Sequence, residues 1–330
     1  MLNKPLGRVL AGLFVVLVIV IGWFTLQVDP IFSSNGKVVI VIVQPGDSVS
    51  KVVSEMHAEG VIASPLAFRI DSLFFGSITL APGSYRMAQN SSFSRIRAIL
   101  SSPHVDVTPG LTLHEIAVDV ANDMGNSYAN EFSKDATQAV TPSTFSSAGS
   151  LEGLIGTGNY VITPGETPAQ LVKMMVQGFA KESASLGLMP STTLNGLSAY
   201  QLVIAASIVE KEGYYPVNMP QVARVIFNRL QRGGPLQMDA TVLYYLGQDG
   251  GTVTPTMLHT PEPYNTYLNV GLTPTPICTV SAVALHAILH APPGPWLYFT
   301  LVNKDGREAF ATTFAQQLAN ERLAQSRGIG

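Results

Sequence analysis

Two glutamates flank a lysine at residues 207–213, "SIVEKEG", where a run of almost wholly apolar residues ends. Carboxyl groups are rarely set among aliphatic side chains without a partner or a task. Ser198 followed by Gln201 is a capping-box spacing, and Gly213 suits the position just past a helix end, so the pattern predicts a helix over about 199–212. At about 100° per residue, Glu210 and Glu212 project about 200° apart and meet different surroundings. Glu212 points along the side of Ala205, Ile208 and Val209, and Glu210 lies nearer Val203, Ala206 and Ser207. Desolvation and the negative end of the helix dipole would both raise the pKa of Glu212. A carboxyl kept protonated near neutral pH is the donor that glycosidic bond cleavage requires. On the residues alone, an ion pair with Lys211, Arg224 or Arg229 stands as the alternative.

The elements that must position this helix follow a recurring layout. Residues 39–56, 105–121 and 159–176 each read as an alternating strand, a Pro-Gly turn and a helix, and 83–102 repeats the layout without the Pro-Gly. Thr112 and Glu115 form another capping box. Residues 37–102 are expected to make one small α+β module, and 126–150, rich in Ser, Thr and Ala, a long connection.

At the N-terminus, residues 9–28 carry no charge and are long enough to cross a bilayer as a helix. No small-residue cleavage site follows, which favours an uncleaved anchor. Lys4 and Arg8 precede the span, so the positive-inside rule puts residues 1–8 in the cytoplasm and the rest of the chain beyond the cytoplasmic membrane. Composition narrows the partners. Only 12% of the 330 residues are charged and the formal net charge is −3, which argues against nucleic acid. The single cysteine, Cys278, permits no intrachain disulfide and reads as a buried thiol without a functional role. His286 and His290 have a metal-compatible spacing but no third ligand, and are expected to be an ordinary pair.

Downstream of "ASIVEKEG" come "VARVIFNRLQRGGPLQMDATVLYYLG" (222–247), "EPYNTYLNVGLTPTPI" (262–277) and "WLYFTLVNKDGREAFATTF" (296–314). In this order the blocks resemble the endolytic murein transglycosylases of the YceG/MltG-like family, from the anchor to near the C-terminus. The resemblance implies an α+β protein: an N-terminal transmembrane helix, a LysM-like module at 37–102 and a mixed α/β catalytic domain at 103–330. It places the catalytic glutamate on Glu212 and implies cleavage of the β-1,4 bond between N-acetylmuramic acid and N-acetylglucosamine in nascent glycan strands, leaving 1,6-anhydromuramic ends. One carboxyl suffices there, because the substrate's own 6-hydroxyl replaces water, and no metal or organic cofactor is required. The implied partners are peptidoglycan glycan strands, the cytoplasmic membrane and peptidoglycan synthases.

Around Glu212, the residues Gln237, Asp239 and Thr241 alternate along an extended stretch and are expected to face the sugar together. Asp239 is read as a stabiliser of positive charge on the sugar or as a helix cap. Asn265 and Tyr267 offer a polar donor and an aromatic face, and Asn228 either lines the cleft or makes a core hydrogen bond. Glu210 is left a supporting role. Three departures from the family pattern stand out: "LQMDAT" for "LQSDPT", "EGLIGTGNY" (152–160) without the usual aromatic and aspartate, and Glu308-Ala309 where a histidine usually precedes the last phenylalanine. Gly213 also replaces a usual threonine. Two other functions fit the same residues, an inactive glycan-binding scaffold and a hydrolytic muramidase using Glu212 and Asp239.

Overall fold

The computed structural model describes residues 4–30, 36–44, 46–76, 78, 80–138, 145, 150–213 and 215–329. The chain divides into two compact units, Met1–Val105 with Asn159–Glu166, and Asp106–Gly158 with Thr167–Gly330.

In the first unit, helix α1 (Lys4–Val28) contains the stretch Val9–Val28, which is long and apolar enough to cross a membrane. Strand β1 (Val38–Val43) is a run of β-branched residues that buries Val41 and Val43 and exposes Val38, Ile40 and Ile42. Helices α2 (Val49–Ala58) and α3 (Pro65–Phe75) each begin on a serine whose side chain accepts a backbone N–H, Ser48 and Ser64. Strand β2 (Gly83–Ala88) returns antiparallel to β1, with Val41 opposite Tyr85, and helix α4 (Phe93–Leu100) follows. Strands β3 (His104–Val107) and β4 (Gly158–Val161) complete a sheet in the order β1-β2-β4-β3, with β4 parallel to β2. Because β4 sits between β2 and β3, the first unit takes back a strand that the sequence assigned to the catalytic domain beginning at 103.

The core of this unit gathers Val52, Val53, Met56, Phe68, Tyr85 and Phe93, with the rings of Phe68 and Phe93 edge to face at 5.0 Å. Asp71 is buried on α3 and pairs with Arg97 of α4.

The second unit starts with α5 (Leu113–Met124), whose expected Thr112–Glu115 capping box is present. Helix α6 (Asn126–Thr137) occupies a stretch expected to be a connection. Ala129, Phe132 and Ala136 form a buried stripe that its Ser, Asn and Ala content obscures. Of the remainder of that stretch, 139–144 and 146–149 lie outside the described residues. Helix α7 (Pro168–Ser185) opens with another capping box, Thr167 and Gln170. A short hairpin, β5 (Thr193–Leu194) and β6 (Leu197–Ser198), leads into α8 (Ala199–Glu212). Helices α9 (Met219–Gln231), α10 (Asp239–Tyr245), α11 (Pro255–Leu258) and α12 (Ala282–Leu289) follow, then the antiparallel pair β7 (Tyr298–Leu301) and β8 (Glu308–Ala311), and α13 (Phe314–Ser326).

Helix α8 is the axis of this unit. Every residue from Leu202 to Val209 is buried, and α9 and α12 pack against it. Each such Leu, Ile or Val contributes roughly 1.5–3 kcal/mol by leaving water. Cys278 is buried, with its thiol 3.4 Å from the Ser207 carbonyl.

Removing one member of a buried ion pair strands the other charge. Asp71→Ala is therefore expected to destabilise the protein by roughly 3–5 kcal/mol, read as a lowered denaturant midpoint. Lys51→Ala, which breaks the exposed pair with Asp47, should leave the midpoint nearly unchanged.

Candidate active site

The expected capping box of α8 is formed, and the helix ends at Glu212 with Gly213 as its C-cap. The next three charged side chains leave the helix in different directions, and each ties down a different segment. Glu210 Oε2 accepts from the Ser281 N–H at 2.8 Å and from its hydroxyl at 2.6 Å, at the N-cap of α12. Lys211 donates to the Gly110 carbonyl at 3.0 Å and pairs with Asp249 at 2.5 Å. Glu212 Oε1 accepts from the Ala240 N–H at 3.0 Å, in the first turn of α10. The two glutamates are thus separated, as the helical spacing predicts.

These residues line a cleft of about 860 Å³ that also receives Glu115, Glu152, Asp239 and Tyr244. Glu212 is half-buried, and its pKa is pushed up to about 7, chiefly by burial and also by the charge of Asp239. The Ala240 N–H and the Arg229 guanidinium act the other way. Asp239, exposed at the start of α10, accepts from the Tyr267 hydroxyl at 2.5 Å.

Several expected sugar ligands are instead used by the protein. Thr241 is buried inside α10, donating to the Met238 carbonyl at 2.7 Å and lying 2.9 Å from the Thr266 hydroxyl. The alternation expected for 237–241 fails because α10 already begins at Asp239. Asn265 is also buried; its amide donates to the carbonyls of Met257, Leu258 and Thr260, and its oxygen accepts from the Tyr267 N–H. Asn228 takes its core alternative, donating to the carbonyls of Gly294 at 2.9 Å and Trp296 at 2.7 Å. Gln237 has a positive φ of 52° and an exposed side chain, while its N–H donates to the Thr266 carbonyl. The 265–267 segment therefore acts as a buckle that holds residues 237–239, at the start of α10, while the next N–H, of Ala240, reaches Glu212.

Neither Arg224 nor Arg229 forms an ion pair with the glutamates among the described residues. Arg224 donates to the carbonyls of Ala291 and Pro292, and Arg229 to those of Leu297 and Leu236 while lying over the Tyr298 ring. His286 and His290 are exposed and meet edge to face at 4.3 Å.

Two further carboxyls, to which the sequence assigns no role of their own, are shifted by burial. Glu152 is buried and accepts from the Leu113 N–H at the start of α5, at 3.1 Å, and from the Tyr244 hydroxyl at 3.1 Å. Burial, aided by the Glu115 charge, pushes its pKa up to about 7. The signal was present as a lone acid between Leu151 and Leu154. Glu308, on β8, is likewise pushed up to about 7 by burial and by the charge of Glu212. Its Oε2 is buried without a hydrogen-bond partner among the described residues.

The sequence profile of the YceG-like family matches residues 41–323. The chain belongs to this family. It is 27% identical over 322 residues to the endolytic murein transglycosylase of Bacillus subtilis, covering 91% of this chain and 88% of that one. The pneumococcal endolytic murein transglycosylase is 25% identical over 319 residues, covering 86% of this chain and 57% of the relative. A crystal structure of a putative yceG-like protein from Listeria monocytogenes superposes with a TM-score of 0.59 at 23% identity, covering 86% of this chain and 99% of that one, and so shares the fold.

Glu152 keeps its proton to about 7 in the folded protein, against an ordinary 4.5. The folded state then binds more protons than the unfolded state between these values. Its contribution is complete below about 4.5 and is lost as pH rises through about 7. Glu152→Gln is expected to remove one proton's share of this decline, on the order of 3 kcal/mol. Denaturant midpoints compared at about pH 4.5 and about pH 8 measure it.

Proposed function

We propose that this YceG-like chain is a membrane-anchored endolytic lytic transglycosylase that cuts the β-1,4 bond between N-acetylmuramic acid and N-acetylglucosamine within glycan strands. The observation that carries the reading is Glu212: a carboxyl with its pKa pushed up to about 7, held at a cleft by one backbone N–H and without an ion-pair partner among the described residues. The names of the relatives supply the substrate class.

In this reading Glu212 gives its proton to the leaving glycosidic oxygen as the bond to the anomeric carbon breaks. The resulting carboxylate takes the proton of the muramic 6-hydroxyl, whose oxygen bonds to that carbon and closes the 1,6-anhydro ring. Protons and bonds balance, and Glu212 is regenerated. Positive charge develops on the sugar in between, and Asp239, oriented by Tyr267, supplies negative potential beside it. Gln237 and Tyr267 contact the sugar, and Glu210 supports the site by fixing α12. The charge that Glu212 carries as a carboxylate holds the proton on Glu308.

The first unit is proposed as a LysM-like glycan-binding module, a reading supported by its β1-α2-α3-β2 order with antiparallel strands. With Val9–Val28 as a single-pass anchor and Lys4 and Arg8 on the cytoplasmic side, both units would face growing wall near its synthases.

Uncrosslinked glycan strands incubated with the protein should acquire anhydro ends by mass spectrometry. Glu212→Gln should reduce their formation by about 10²-fold or more, and Glu210→Gln by less. Reducing ends in place of anhydro ends would indicate a muramidase with Asp239 as second carboxylate, and strands left intact by the wild-type chain a binding scaffold.

Because the acid must hold its proton, kcat/KM should fall as pH rises through about 7. Removing the neighbouring charge makes ionisation of Glu212 easier. Asp239→Asn, which removes the charge that raises Glu212, is thus expected to move this alkaline limb to lower pH, and an unmoved limb in the pH-rate profile would show that Asp239 does not act on Glu212.

A further inference from the structure

Helix α3 is apolar on two sides, and only one of them is buried. Ala67 and Phe68 enter the core of the first unit, while Leu66, Leu73, Phe74 and Phe75 are 61%, 84%, 78% and 72% exposed. Leu66 and Leu73 are seven apart and share a face, with exposed Arg69 between them. Three consecutive large apolar side chains left in water at a helix end are unusual for a soluble surface, and a cluster of this kind marks an interaction site.

The neighbouring helix says what covers it. Helix α1 packs against α3, and Phe24 and Val28, in the last turns of α1, pack against the core of the same unit. The apolar stretch Val9–Val28 runs to that very point. The last turns of a stretch long enough to cross about 30 Å therefore meet the module directly. If α1 crosses a bilayer, its last turn lies at the interface, and α3 is held beside it. The composition of the exposed end suits that depth: aromatic and aliphatic side chains flanked by arginine are the groups that settle at the boundary between headgroups and acyl chains. Arg97 lies over the Phe75 ring at 5.2 Å while paired with Asp71, which braces the aromatic from the protein side.

We propose that the exposed end of α3, Leu73 to Phe75 with Leu66, inserts into the interface of the bilayer that α1 spans. The module is then attached at two points, by α1 and by α3, so that it cannot swivel about its anchor. This rests on reading α1 as a membrane span, and the test separates the two.

Cys278 is the single cysteine and is buried, so a nitroxide placed on an introduced cysteine reports its own position. The full chain, carrying Leu73→Cys or Phe74→Cys, is reconstituted into vesicles of phosphatidylcholine and phosphatidylglycerol. Collisions of the label with lipid-soluble oxygen are compared with collisions with a water-soluble nickel chelate. Leu17→Cys in α1 and Glu59→Cys, an exposed charged site of the same unit, are the references. The oxygen-to-nickel ratio at positions 73 and 74 is expected to exceed that at 59 by about threefold or more while staying below that at 17. A ratio equal to that at 59 overturns the proposal and leaves the span intact. Shielding from both reagents also overturns it, in favour of a second copy or another protein on this surface. A water-like ratio at 17 overturns the span itself and the proposal with it.

Discussion

Helix α8 has no side facing solvent between Leu202 and Val209, so it can present polar groups only near its ends, and its last turn carries three charges in succession. Consecutive residues on a helix point about 100° apart and cannot share a partner. The surrounding chain supplies a separate one for each: the N-cap of α12 for Glu210, Asp249 with the Gly110 carbonyl for Lys211, and the first turn of α10 for Glu212. The cleft is lined by these three side chains and by the partners of two of them, Gly110 and Asp249 for Lys211 and Ala240 for Glu212. Its position follows from the need to satisfy charges at the end of a buried helix.

Three carboxyls, two lining that space and a third, Glu308, coupled to it through the charge of Glu212, are raised to about 7 chiefly by burial, yet their partners differ. Glu152 receives an N–H and a hydroxyl and serves to fix α5 to α10. Glu308 keeps one buried oxygen without a partner and feels Glu212 by its charge. Glu212 is held by a single N–H at the edge of the cleft. The least satisfied geometry with access to a substrate is the one best suited to exchanging a proton, which is why equal pKa values do not imply equal roles.

What the sequence made legible was local. The apolar helix at 9–28, the capping boxes at Thr112 and Ser198, the extent of α8 and the divergence of Glu210 from Glu212 all depend on residues within a few positions of each other. Thr241 and Asn265 are not legible as internal groups because Thr241, inside α10, meets Thr266, and Asn265 folds back on the carbonyls of 257–260, contacts that alternation does not reveal. The burial of Glu152 and Glu308 is hidden for a related reason: Glu152 meets Tyr244 at 92 residues' separation, and no periodicity announces such a pairing. Helix α6 was hidden by small polar residues that cover a three-residue apolar stripe.

Gly213 shows how narrowly the turn after α8 is built. Its φ of −84° is open to any residue, so conformational freedom is not the reason for glycine. Space is: a Cβ there would stand 2.7 Å from Met219 Cγ and 2.9 Å from the Val209 carbonyl oxygen. The resemblance puts threonine at this position in relatives, so in this chain the missing side chain and the methionine that fills its room are complementary halves of one packing solution. Positions 213 and 219 are then free to drift only as a couple. A graft of the relatives' threonine would have to move the Val209 carbonyl as well as Met219.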